Sequence, residues 1–151
     1  MRTLGNILWH VPFLGFVSAL VTFLLGGLLV ITIIGAPIGL GLIQLSKFLL
    51  TPFSKEMINK NDLGEKQNAL WKTFGILVRI LYFPIGLILA IANLFQIAGL
   101  FISIIGIPVA IILAKSLGTY FNPVNKICVS KAVADNIAYK KATGEIKKEL
   151  E

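Results

Sequence analysis

The chain has 151 residues, 56% of them hydrophobic and only 14% charged, with mean hydropathy +0.87 and a formal net charge of +7. A soluble domain carries about 45–50% apolar and roughly 25% charged residues, so this composition excludes an ordinary soluble core and points to the membrane. The single cysteine, Cys128, excludes an internal disulfide and a Cys-based metal cluster, and reads as a small residue near the membrane surface.

In chain order, a basic start at Arg2 precedes an apolar run over residues 7–50, broken only by His10, Gln44 and Lys47. That run is too long for the 7–15-residue core of a cleavable signal peptide. It is too long for one span of about 20 residues and about right for two. The pattern predicts a long helix over 9–33, with Pro12 near its entrance, then a break at Gly35-Ala36-Pro37 and a shorter return helix over 37–50. Glycine tolerates positive φ, while proline removes a donor and pushes its predecessor out of the helical region. Residues 54–73 then read as a cytoplasmic linker. A second apolar run over 74–113 contains only Arg79, Asn93 and Gln96 as strongly polar or charged residues. It predicts a long helix over 74–105 kinked at Pro84, a break at Gly106-Ile107-Pro108 and a return helix over 108–121. Residues 130–151 read as a charged, solvated cytoplasmic helix.

A shift of 71 residues brings the two runs into ungapped register. ITIIGAPIG (31–39) falls on ISIIGIPVA (102–110), and over residues 15–55 eleven of 41 positions are identical. Six of these are not aliphatic matches: Gly15/Gly86, Ala19/Ala90, Gly35/Gly106, Pro37/Pro108, Pro52/Pro123 and Lys55/Lys126. Internal duplication is a common way to build membrane folds. The expected architecture is therefore an all-α integral membrane protein of two tandem parallel repeats, over 1–53 and 74–129, with about four crossings.

Basic residues gather beside the apolar runs: Arg2, then Lys55, Lys60, Lys66 and Lys72, then Lys126, Lys131, Lys140, Lys141, Lys147 and Lys148. By the positive-inside rule this places both termini and the linker in the cytoplasm, with both Gly-x-Pro turns toward the outer face. Aromatic-basic interleaving of the kind a single-strand binder needs is lacking, so no nucleic-acid partner is expected. The return helices cover about 21–24 Å against roughly 30 Å of hydrocarbon. They are either tilted or thinned spans, or re-entrant segments buried in protein.

Polar groups inside apolar runs are the functional candidates. Gln44, Lys47 and Thr51 form one helical stripe, and Lys115, Thr119 and Asn122 form another; each lines a pore or interface, or its lysine snorkels to the surface. Thr22 and Asn93 align near the middle of the long helices, where they line a path or bond neighbouring helices. Gly15/Ala19 and Gly86/Ala90 are small-xxx-small pairs suited to close helix packing. No Asp or Glu occurs between Arg2 and Lys55 or between Lys66 and Ala134, which disfavours an ion-coupled transporter. Nucleotide-binding and zinc-protease motifs are missing from the sequence, so no catalytic residue, metal or cofactor is expected. His10 reads as an interfacial residue beside Trp9.

The strings NILW (6–9), ITIIGAPIG, Thr51-Pro52-Phe53 and ISIIGIPVA resemble the YccF family of small bacterial inner-membrane proteins. The resemblance implies an inner-membrane location and two such domains, and it implies no activity. Two roles compete: a homo-oligomeric channel or pore-like protein, whose stripes symmetric assembly would bury, and a non-conducting scaffold or accessory subunit whose basic flanks meet a partner or anionic lipid.

Overall fold

The computed structural model describes residues 2–11, 13–63 and 69–149, so Pro12 and Lys66 lie outside the described residues. In chain order the elements are α1 (Arg2–His10), α2 (Gly15–Ile31), α3 (Ala36–Leu50), β1 (Lys55–Asn59), a 3-10 turn (Lys60–Leu63), α4 (Ala69–Ile102), a second 3-10 turn (Ile104–Gly106), α5 (Ile107–Phe121), β2 (Lys126–Ser130) and α6 (Lys131–Glu149). The main packing units are two apolar hairpins, α2 with α3 and α4 with α5. Phe16, Leu20, Leu24, Ile88, Phe95 and Ile102 leave them exposed, an apolar surface far larger than a water-soluble monomer carries. The stretches Lys72–Ile102 and Ile104–Phe121 are long and apolar enough to cross a membrane, and α1 with α2 make a third if that bent pair is one span.

The expected long first helix is interrupted. α1 and α2 meet at 80°, with Leu14 in the left-handed region at φ 51° between them. The cause is Trp9, wholly buried, whose indole N–H donates to the Leu49 carbonyl at 2.8 Å. Its ring occupies the space where any Cβ on Gly15 would stand, so the bend requires glycine there. His10 Nε2 donates to the Leu50 carbonyl at 2.7 Å, which fixes the tautomer because a carbonyl only accepts. α1 is thereby held along the end of α3 with Leu4, Ile7 and Val11 turned outward, the form of an interfacial helix. The corresponding stretch of α4 runs straight through, with Pro84 inside the helix.

The turn glycines also serve differently from expectation. Gly35 and Gly106 have φ −79° and −78°, both negative. Each is required by a close approach instead: a Cβ would press on the Leu29 carbonyl at Gly35 and on the Leu100 carbonyl at Gly106. The positive φ in the first turn falls on Ile33, at 58°.

An all-α architecture is corrected by the antiparallel pair β1–β2, with Met57 opposite Cys128 at its centre. Offsets of 71 residues recur here, since α3 and α5, and β1 and β2, begin and end at equivalent positions. The strands tie the hairpins together crosswise. Gly41 of α3 lies against the Pro123 carbonyl, just before β2, while Ile112 and Lys115 of α5 share a cavity with Pro52 and residues 55–57. Each return helix thus lies across the strand that follows the other.

Because Gly41 meets a backbone carbonyl, which has little freedom to yield, Gly41→Ala is expected to lower unfolding stability in detergent by about 1–3 kcal/mol, as overpacking does. Gly27 faces open space, so Gly27→Ala is expected to be neutral or stabilising in the same measurement.

Candidate functional site

The polar stripes do not line a common lumen. Gln44 is half-buried and its Oε1 accepts the Cys128 backbone N–H at 3.3 Å, linking α3 to β2. Lys47 is exposed, whereas Thr51 is half-buried with a hydroxyl that has no hydrogen-bond partner among the described residues. The second stripe divides likewise: Lys115 is exposed, Thr119 is 2% exposed, and Asn122 is half-buried with its Oδ1 unpartnered among the described residues. Lys115 lines a cavity of about 50 Å³ with Lys55, Glu56, Lys131 and the buried Ser116.

The mid-helix pair is brought together. Thr22 and Asn93 both face the Tyr120 hydroxyl, in a lateral cleft between α2 and α4 that also contains Ser18 and Gln96. Gln96 Nε2 donates to Ser18 Oγ at 3.1 Å across the two hairpins, and Thr22 Oγ1 donates back to the Ser18 carbonyl at 2.7 Å. Asn93 is 4% exposed, and neither of its amide atoms makes a well-aligned hydrogen bond among the described residues. Ser18 and Tyr120 escape sequence reasoning, because a lone serine or a tyrosine at a helix end gives no periodic signal.

Gly15, Ala19, Gly86 and Ala90 are all buried. Gly15 receives Trp9, and Gly86 lies against the Tyr82 ring and the Tyr120 carbonyl. Pro37 and Pro108 occupy the first turn of α3 and α5, where a missing N–H costs nothing.

Outside the helical pairs, burial lowers the affinity of the Lys126 ammonium for its proton, with Asp62 opposing. Burial pushes the Cys128 thiol up, and Lys55 and Lys47 pull it partly back. Asp62 also pairs with Lys141 of α6 at 2.6 Å, an exposed contact of modest worth.

Apolar hairpins with few charges of their own, joined by a charged paired-strand segment and followed by a charged final helix, define a helical membrane protein. Residues 4–55, which cover nearly all of α1, then α2, α3 and the first residue of β1, match the model of the YccF family, an inner membrane component domain. No curated protein and no solved structure matches the chain.

Since only the thiolate alkylates and nearby lysines favour it, Lys55→Gln and Lys47→Gln are each expected to raise the Cys128 thiol further. Maleimide labelling at mildly alkaline pH should slow in both variants, with the larger effect from Lys55.

Proposed function

We propose that this protein is a non-conducting accessory component of the bacterial inner membrane, two tandem hairpins whose paired strands and final helix form a cytoplasmic platform. The observation that carries this reading is the fate of the polar stripes, with Gln44 spent on the Cys128 N–H and Thr119 buried in packing. The matching 71-residue offsets of helices and strands support the tandem arrangement. The basic flanks support cytoplasmic termini and contact with the bilayer and its anionic lipids. The role needs no catalytic residue, cofactor or nucleic acid.

Both hairpins enter and leave at the same face, and we favour tips that stop short of the opposite one. The strands carry Lys55, Glu56 and Lys126, so they sit in water or at the headgroups. Gly41 touches Pro123 beside those strands, and only six residues separate it from Gly35. Six helical residues advance about 9 Å, well short of roughly 30 Å of hydrocarbon. The re-entrant alternative is thus preferred over four full crossings.

A homo-oligomeric pore is the second reading, and the lateral cleft favours it, because the buried Asn93 amide, with no well-aligned bond among the described residues, leaves room for a further polar partner. In liposomes the purified protein is expected to pass no ions; measurable flux that Asn93→Leu abolishes would establish the pore instead. With Cys128→Ser as background, Ile34→Cys and Ile105→Cys are expected to resist membrane-impermeant maleimide from both sides, while Lys60→Cys labels only from the cytoplasmic side. Labelling of residues 34 and 105 from outside would restore four crossings.

A further inference from the structure

We propose that the cavity between β1, α5 and the start of α6 binds a phosphate-bearing anion, its occupant being the headgroup of an anionic phospholipid. This rests on the reading above that sets the paired strands at the membrane surface. Three lysines from three elements line it, Lys55 from β1, Lys115 from α5 and Lys131 from α6, with Glu56 as the one acidic residue among the lining residues. Lys131 is also the first residue of a 19-residue helix, whose dipole adds positive potential at that end. The cavity volume of about 50 Å³ suits a phosphate group and not a whole lipid. Phe48, Phe53 and Ile112 supply an apolar wall beside the lysines, the combination a headgroup with attached acyl chains requires.

Among the described residues the two sides of the strand pair differ, for reasons visible residue by residue. Seventy-one positions before Ile112, Lys115 and Lys131 stand Gly41, Gln44 and Lys60. Gly41 admits the Pro123 carbonyl and Gln44 accepts the Cys128 N–H, which closes that side. On the other side Ile112 fills the position of the glycine, so Pro52 is not admitted in the same way. Hydrogen bonds from Lys60 to Asn125 and from Lys131 to Ser54 flank the register. Alternation along an antiparallel pair makes Met57–Cys128 a non-hydrogen-bonded pair, with both N–H groups directed outward. Gln44 takes one of them. Lys115 has only donors and cannot take the other, so an anionic oxygen in the cavity would offer the Met57 N–H an acceptor.

The test uses full-length protein in nanodiscs of phosphatidylcholine doped with phosphatidylglycerol, with retained lipid counted by native mass spectrometry. Wild type is expected to retain phosphatidylglycerol preferentially. Lys115→Gln and Lys131→Gln should each weaken retention about fivefold, as loss of one interfacial lysine predicts, while Lys140→Gln on the exposed face of α6 leaves it unchanged. Lys115→Gln copies the residue found at position 44, so it should stay folded, and its thermal unfolding midpoint checks this. Equal losses in all three variants, or no loss at 115 and 131, would overturn the site. Displacement of the lipid by millimolar inorganic phosphate would overturn the lipid as occupant and assign the cavity to free phosphate. Nanodiscs expose both leaflets, so a wrong orientation or crossing number changes the labelling experiment and not this one.

Discussion

The pairing of β1 with β2 is the constraint on which the rest of the molecule depends. Two five-residue strands are marginal alone, and here they are stable because α3 and α5 pass beneath them. In the proposed arrangement their lysines and Glu56 stay hydrated, which would hold what packs on them near the membrane surface. Gln44 bonds to β2, Gly41 meets Pro123 just before it, and Ile112 and Lys115 line a cavity with residues 55–57 of β1. The same strands therefore decide how the hairpins are joined and, in the proposed arrangement, how far each return helix reaches into lipid.

Small residues then set how tightly each hairpin closes. In the first, Gly26 and Gly39 face each other's carbonyls at a separation that admits no Cβ. Ile97 and Ala110 hold the equivalent positions in the second hairpin, whose helices pack less closely. Apolar lipid gives no hydrophobic drive for helices to associate, so such close approach, with the Gln96–Ser18 bond, supplies the cohesion instead.

Much of this was legible in the sequence. The two apolar runs, the Gly-x-Pro turns, the resemblance to the YccF domain and the α5 and α6 helices were readable from hydropathy, proline placement and motif. The strands were not, because KEMIN and KICVS are short and follow helix ends where basic flanks are expected anyway. Their pairing is a contact between residues about 71 positions apart, which no local pattern reports. The bend after α1 was hidden for a similar reason: Trp9 is drawn down by the Leu49 carbonyl, a partner 40 residues away. At Ile33, tertiary closure of the first turn overrode the usual aversion of β-branched residues to positive φ. Stripe geometry was read correctly as helical periodicity, yet periodicity alone cannot say whether a polar face meets a lumen, a strand or solvent.

The exchange of Gly41 for Ile112 across the strand pair has a consequence for what assembly alone can achieve. In a symmetric dimer of identical subunits, every feature on one side of the axis is copied on the other, so a cleft is present twice or not at all. Two unlike halves joined in one chain escape that rule. One side is sealed and secures the joint, while the other stays open, and neither requirement has to be compromised to satisfy its mirror.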